Sequence, residues 1–437
     1  MWRESGQPGA PTPARSFSGS AGPAHVHQHI PRFHATMTPM TGPLQGYRIV
    51  DISQVVSGPL ATMMLADQGA DVIKVEPTVG GDIVRANQVN IGGITPLVAN
   101  MNRGKRGVAV DVALPDGLEF LLRLCDTADV FVQNFRPGVC DRLGFGKQAM
   151  MARNPDLIYV DVSGYGQSGP YSNRRVYDPV IQGLTGHVAA QVNPEVPFAD
   201  VHRTIVADKS TSYTVAQAIT AALLARERGL VRGQVIDVAM IDAALAFFWP
   251  DGMMSRTILD DPLFAQRPTL SQTMRVTRCG EGQLIYFAGT DKERHGLFRA
   301  LGHPEWCEDP RFSNIQAVLK PENFVALGEV LEAAFLEWDS EELLPRLLAE
   351  EVPCGPVHTL DSLINDEQLA HNNTFWEWEH PTAGPMRQVR PAPRFSGTPL
   401  EPNASVPLLG EHNEEVALSL GYSSEQIAGL RAKGVLS

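Results

Sequence analysis

The sequence has few cysteines, fewer basic than acidic residues, and no long apolar run. Its five cysteines are dispersed and form no CxxC pair, so they predict neither a disulfide framework nor a zinc knuckle, and they suit a reducing compartment. Lys and Arg number 36 against 49 Asp and Glu, a net charge of −13, which argues against a nucleic-acid partner. No apolar stretch reaches the roughly 18 residues of a membrane-spanning helix, so no membrane partner is predicted.

The composition that remains is typical of a globular protein of two or three domains, since 43% of the 437 residues are apolar and 19% are charged. Residues 1–43 differ, because they hold seven prolines and little aliphatic periodicity, which predicts a disordered N-terminal extension. Three arginines accompany a single acid there, a pattern that faintly resembles a transit peptide. We therefore predict a cytoplasmic location, with the mitochondrial matrix as the minor alternative.

From residue 44 the apolar pattern alternates between strands and helices. It predicts helices from Pro59 to a stop at Gly69, over Asp116–Thr127 and over Lys147–Arg153. Between them it predicts strands at Tyr47–Ile52, Asp71–Val75, Gly107–Val112, Asp129–Gln133 and Leu157–Val162. Successive βαβ units predict an α/β fold with a doubly wound parallel sheet, whose ligands bind beyond the carboxyl ends of the strands.

A formal GxGxxG lies at Gly164–Gly169, directly after a predicted strand. A dinucleotide fingerprint requires these glycines to open a helix. The residues from Pro170 to Arg175 have no helical apolar stripe. The segment is therefore interpreted as a glycine-rich turn that shapes a pocket, and a dinucleotide-binding protein is the weaker alternative.

Asp208 precedes a long amphipathic pattern over Lys209–Arg228, which Gly229 ends. One interpretation is an N-cap, in which the carboxylate accepts the free N–H groups of the first turn. The same position also keeps a carboxylate ionised and oriented, as a carboxylate nucleophile requires. The residue pattern by itself leaves both interpretations open.

Twelve ordered segments resemble a known family: GPLQGYRIVDIS (42–53), SGPLATMMLADQGADVIKVEP (57–77), GGDIVR (80–85), NRGKRGVAVDV (102–112), DVFVQNFRPG (129–138), DRLGFG (141–146), NPDLIYVDVSGYGQSGP (154–170), YDPVIQGLTG (177–186), GQVIDVAMIDA (233–243), VPCGPV (352–357), RFSGTP (394–399) and PLLGEHNEEV (407–416). They are similar to class III CoA-transferases, the family of formyl-CoA transferase, carnitine CoA-transferase and α-methylacyl-CoA racemase. The resemblance implies a two-lobed ring that interlocks with a second copy as a homodimer. It places a large Rossmann-like CoA-binding domain at 44–240, a linker and small domain at 241–330, and a return to the large domain at 331–437.

The resemblance also implies a set of site residues. It places the catalytic aspartate on Asp208, with no metal and no permanently bound cofactor, and with coenzyme A as substrate and product. The implied CoA contacts are Val56, Ser57, Val110, Asp111, Val112, Asn134, Phe135, Arg136, Arg142, Arg174, Arg175, Val176 and Tyr177. The arginines suit a ligand that carries about four negative charges, because guanidinium groups pair bidentately with phosphates.

The activity that the resemblance implies is transfer of CoA from an acyl-CoA to a small carboxylic acid through a covalent intermediate on Asp208. Sequence differences from individual members of the family narrow the expected activity. Racemases of the family carry His-Asp where this chain has Tyr177-Asp178, and a phenol is a poor base at neutral pH. Racemisation is therefore the alternative. Formyl-CoA transferase carries glutamine at Val56, arginine at Pro77 and a glycine run near Ser271–Val276, so a formate or oxalate specialisation is not expected.

Overall fold

The computed structural model describes residues 32–33, 41–86, 89–191, 198–259, 274, 276–401, 403 and 405–437. Within them the strands are β1 Arg32–Phe33, β2 Arg48–Asp51, β3 Asp71–Glu76, β4 Arg106–Ala109, β5 Val130–Gln133, β6 Ile158–Ser163, β7 Gln234–Ala239, β8 Val276–Arg278, β9 Gln283–Tyr286, β10 Cys354–Pro356, β11 Phe375–His380 and β12 Gly384–Val389.

The α-helices of the described residues follow the same chain order: α1 Ser57–Ala66, α2 Pro96–Asn102, α3 Pro115–Asp126, α4 Val139–Leu143, α5 Lys147–Arg153, α6 Asp178–Leu184, α7 His187–Ala190, α8 Val206–Glu227, α9 Met240–Gly252, α10 Met254–Thr257, α11 Asp291–Leu301, α12 Ile315–Val318, α13 Pro321–Phe335, α14 Ser340–Ala349, α15 Glu367–His371, α16 Asn413–Ser419 and α17 Ser424–Ala432. Short 3₁₀ turns occupy Ile83–Arg85, Pro304–Cys307 and Leu363–Asn365.

The central sheet has the strand order β4-β3-β2-β5-β6-β7, and every neighbouring pair is parallel. This confirms the predicted α/β fold with a parallel sheet. The strand order reverses between β2 and β5, and such a switch point opens a crevice at the carboxyl ends of the two strands. The loops that follow β2 and β5 are therefore where a ligand is expected.

Helices cover both faces of this sheet because its strands are apolar on both sides. On one face α3 packs with α16 and α17, and its Phe120 shares a core with Tyr159 and Ile427. On the other face α1 and α8 contribute Leu65 and Ile219 to a second core. The C-terminal helices thus pack on the central parallel sheet, whose strands all precede residue 240.

A separate core is built around the antiparallel sheet β10-β9-β8. It joins Leu284 with apolar residues of α11, α13 and α14, among them Phe298, Phe335 and Leu343. The predicted boundary between the small domain and the return to the large domain, at residue 330, lies inside α13. The packing instead keeps the whole of α13 in this separate core. A helix whose apolar stripe completes one core cannot be divided between two units.

The N-terminal 43 residues lie largely outside the described residues, and so does most of Ser271–Val276. Within the first segment, Arg32–Phe33 pairs in parallel with β11, which itself forms a hairpin with β12. No helix of the described part is long and apolar enough to cross a membrane. Among the same residues, no group of three His, Cys, Asp or Glu side chains could hold a metal ion. The cytoplasmic location stays a prediction.

Candidate active site

The loops at the switch point are tied to each other. The Gln54 N–H donates to Oδ1 of Asn134 at 2.8 Å, and Nδ2 of Asn134 donates to the Gln54 carbonyl at 2.7 Å. Gln54 follows β2 and Asn134 follows β5, so the Asn134 side chain links the two loops that border the crevice. Asn134 therefore braces the loop that leads into α1.

Helix α1 begins at Ser57, two residues before the predicted start at Pro59. The N–H groups of Val56, Ser57 and Gly58 donate to no acceptor in the described ranges. These groups form the positive end of α1 and point away from the helix. Val56 as a whole residue is only 4% exposed, so it offers a ligand little surface.

Asp208 is the third residue of α8, since the helix begins at Val206 and Ile205 precedes it. The N-cap interpretation from the sequence is therefore wrong. The cap is supplied from a distance: Oδ2 of Asp178 accepts the Asp208 N–H at 2.8 Å. The Asp208 carboxylate is released from capping and lies near the Ser57 hydroxyl at the start of α1, which lowers the Asp208 pKa.

Asp178 is positioned by the helix that it opens, α6. It is 2% exposed and accepts a hydrogen bond from Nε2 of Gln182, one turn later. Gln182 also receives the His202 N–H at 2.8 Å and donates to the His202 carbonyl at 3.1 Å. This arrangement fixes the segment before α8 and, with it, the direction of Asp208.

The environment of Asp208 makes its carboxylate more basic than an ordinary aspartate. Burial raises the pKa of Asp208 to about 6, the Ser57 hydroxyl lowers it in part, and the negative charge of Asp178 raises it again. Asp208 is thus ionised at neutral pH, while its higher proton affinity favours attack on a carbonyl carbon.

This shift predicts that Asp208→Asn stabilises the fold at neutral pH. The folded-state pKa of about 6 exceeds the ordinary value of 3.8, so the ionised carboxylate costs stability above about pH 6 and costs nothing below pH 3.8. We expect the variant to gain about 1–3 kcal/mol in free energy of unfolding at pH 7.5. Urea titrations at pH 7.5 and pH 4 measure this gain.

The gain should shrink as the pH falls, because wild-type Asp208 then becomes neutral as well. Asp200→Asn is the matched control, because Asp200 is exposed and pairs with Arg203 on the surface. A gain that is equal at both pH values would contradict the assigned environment.

The glycine-rich segment forms a turn, and no helix follows β6 until Asp178. A Cβ on Gly164 would lie 2.3 Å from Cγ1 of Val176, so this glycine permits Val176 to pack against the turn. The Gly166 N–H donates to Oγ of Ser163 at 3.0 Å. The predicted turn is confirmed.

The four arginines of the implied site are exposed, and no carboxylate of the described residues forms an ion pair with them: Arg136, Arg142, Arg174 and Arg175. Phe135 and Arg136 line a polar cavity with Asp161 and Gln167. Arg142 reaches within 3.7 Å of where a Cβ on Gly138 would stand. The Arg174 guanidinium stacks over Tyr171 at 3.7 Å. Unpaired guanidinium groups on an acidic protein suit a polyanionic ligand.

Val110, Asp111 and Val112 follow β4, at the far edge of the sheet. Val110 is 2% exposed and pairs with Leu436, and the Asp111 N–H donates to the Val435 carbonyl at 3.0 Å. The C-terminal residues thus cover this segment, which lies three strands away from β5. Any ligand that touches all the implied residues must extend along the carboxyl edge of the sheet.

The sequence interpretation missed Asp178, Gln182 and the C-terminal cover. An acid directly before Pro179 is a signal for a helix start, and it could have indicated Asp178. Tyr177, which the resemblance did implicate, is 64% exposed.

Comparison with known proteins decides the family. The protein-family model described as CoA-transferase family III matches residues 44–413. The chain belongs to this family. This confirms the resemblance found in the sequence, and the protein is a CoA-transferase. A succinate–glutarate CoA-transferase of Agrobacterium fabrum is 31% identical over an alignment of 390 residues, and the match covers 86% of this chain and 96% of that protein.

Two further comparisons place this family III CoA-transferase among similar enzymes. A formyl-CoA:oxalate CoA-transferase of Streptomyces coelicolor is 32% identical, with 90% of this chain and 99% of that protein covered. The crystal structure of a Mycobacterium tuberculosis protein, a probable fatty acyl-CoA transferase, superposes with a TM-score of 0.75 at 30% identity. It covers 87% of this chain and 100% of that structure. Racemisation is not favoured by any of these names.

Proposed function

We propose that this CoA-transferase moves CoA from an acyl-CoA donor to a free carboxylic acid through covalent intermediates on Asp208. The observation that carries the proposal is a buried carboxylate with a raised pKa, near the Ser57 hydroxyl at the helix end where three N–H groups have no described acceptor. The nucleophile and the donors for a developing oxyanion lie side by side.

The first half of the reaction transfers CoA to the enzyme. An Asp208 oxygen attacks the thioester carbonyl carbon, the carbon–sulfur bond breaks, and the CoA thiolate leaves a mixed anhydride. The thiolate then attacks the aspartyl carbonyl carbon, which releases the donor acid and leaves an aspartyl-CoA thioester.

The second half repeats these steps in reverse order. The acceptor carboxylate attacks the aspartyl-CoA carbonyl, the thiolate leaves, and a new anhydride joins the acceptor to Asp208. Attack of the thiolate on the acceptor acyl carbon gives the product thioester and restores the Asp208 carboxylate. The thioester bond energy is conserved. Protons and charges balance in every step, and the steps need no metal or redox cofactor.

The proposed CoA contacts are those implied by the resemblance, from Val56 to Tyr177. The four unpaired arginines support phosphate binding, and the implied contacts follow strands β2, β4, β5 and β6 at the carboxyl end of the sheet, which supports an extended ligand. The buried positions Val56 and Val110 would offer a ligand little surface.

We also propose the homodimer and the two-lobed ring. Support comes from large apolar residues that α8 and α9 leave exposed, such as Tyr213 at 66% and Phe247 at 62%. Monomeric proteins seldom expose several large apolar side chains together. Sedimentation equilibrium is expected to give twice the chain mass of 47.6 kDa.

An acceptor screen tests the function. The protein is incubated with succinyl-CoA and a panel of free mono- and dicarboxylic acids, and new acyl-CoA species are identified by mass spectrometry. At least one acid should yield its CoA thioester with an equal amount of succinate. Hydrolysis of succinyl-CoA without any new thioester would overturn the proposal.

A separate prediction concerns proton exchange. Because the racemase histidine is replaced by Tyr177, a 2-methylacyl-CoA incubated with the protein in D₂O should keep its α-proton. Proton NMR measures the label over hours, with the enzyme-free sample as the control. Deuterium incorporation at the rate of acyl transfer would contradict the transferase assignment.

A further inference from the structure

Val55 has a backbone conformation that its side chain disfavours. Its φ is 69°, in the left-handed region, where a β-branched residue is an outlier. Such strained residues persist only where the surroundings fix them, and they concentrate at functional sites. Val55 lies two residues before Ser57, the partner of Asp208.

The Val55 peptide is held by a buried carboxylate. Its N–H lies 3.1 Å from both oxygens of Asp82, which is 1% exposed. Nζ of Lys74 lies 3.4 Å from Oδ2 of Asp82, and the Asp82 N–H donates to Oε1 of Glu76 at 2.9 Å. Asp82 is thus fixed by charges on β3 and cannot follow Val55 if the loop moves.

The neighbouring peptides are held in the same way. Gln54 is bonded on both sides by Asn134. The Ser53 N–H donates to Oδ1 of Asp51 at 3.0 Å, and the Ser53 carbonyl accepts from Nζ of Lys74. The peptide groups of three consecutive residues are therefore anchored to groups outside the loop. Val55, the strained residue of the three, is the one that hydrogen-bonds Asp82.

We propose that Asp82 is a positioning residue of the transfer reaction: it holds Val55 in the left-handed conformation, so that α1 begins where the Ser57 hydroxyl meets Asp208. This inference rests on the proposed function. Without the hydrogen bonds to Asp82, Val55 relaxes to negative φ, and the first turn of α1, with its free N–H groups, shifts away from the nucleophile.

A double-mutant cycle tests the proposal. Asp82→Ala should lower kcat for CoA transfer by roughly 100-fold, the effect of a misplacement of about 1 Å, while the Kd for CoA changes by less than about threefold. The acid limb of kcat/KM should also move to higher pH, because the Ser57 hydroxyl no longer lowers the Asp208 pKa.

Adding Val55→Gly to Asp82→Ala should restore most of the lost kcat and return the acid limb, because glycine adopts positive φ without strain. A purely structural role of Asp82 predicts no such rescue, since Lys74 would still lack one of the two carboxylates that face it. A loss of kcat in Asp82→Ala that Val55→Gly leaves unchanged would overturn the proposal.

Val55→Pro tests the same contact without touching the buried charges. Proline has no N–H and cannot reach positive φ, so the same loss of kcat and the same shift of the acid limb are expected, with Val55→Ala as the matched control that keeps the N–H. Near wild-type kcat in Val55→Pro would overturn the proposal, also where Asp82→Ala does not fold. Absence of transfer in the wild type would instead reject the proposed function.

Discussion

Asp208→Asn is expected to lower the rate of CoA transfer by roughly 10⁴–10⁶-fold, the range seen when a covalent nucleophile is removed. An amide nitrogen or carbonyl oxygen cannot form the anhydride with the acyl group. The substitution leaves the main-chain bond to Asp178 in place, because that bond uses the Asp208 N–H. The fold should therefore persist, and calorimetric binding of CoA should be largely kept.

Trapping identifies the nucleophile directly. Hydroxylamine added to the wild type with acyl-CoA should convert Asp208 to a hydroxamate, which peptide mass spectrometry locates at one residue. Asp200→Asn, an exposed carboxylate on the surface, should keep the wild-type rate and the wild-type label. A folded Asp208→Asn variant that turns over at a near-normal rate would refute the covalent mechanism.

Asp51→Ala is expected to destabilise the fold by about 3–5 kcal/mol, because it leaves buried Lys105 without its carboxylate partner and Lys74 with Asp82 alone. Asp51 is 0% exposed and accepts from Nζ of Lys105 at 3.0 Å and from Oγ1 of Thr62 at 2.6 Å, with Lys74 at 4.0 Å. Burial alone would raise the pKa of Asp51, but Lys74 and Lys105 hold it at about 2.

Urea unfolding at pH 7 measures this loss. Asp156→Ala is the matched control, since Asp156 pairs with Arg232 on the surface at 2.7 Å, and loss of such an exposed pair should change stability little. Since the Asp51 pKa is depressed in the folded state, its contribution is present above pH 3.8 and is lost as the pH falls through about 2. Equal losses in the two variants would contradict the buried network.

The buried network also explains why part of the fold could not be anticipated. The segment DVIKVE is apolar enough to predict a strand, and β3 forms there. Its Lys74 nevertheless lies in the interior, 1% exposed. The carboxylates that neutralise it come from β2 and from the loop after β3, and a local pattern carries no information about such partners.

The sequence by itself determined the alternating strands and helices, the parallel sheet and the family, because each depends on local periodicity or on the order of many short segments. Only the tertiary structure decided the surroundings of Asp208. Its N–H is capped by Asp178, 30 residues earlier, and its carboxylate meets Ser57 on a different helix. The reason is physical: capping, burial and charge act through space over a few ångströms, and chain folding alone sets which distant residues come within that reach.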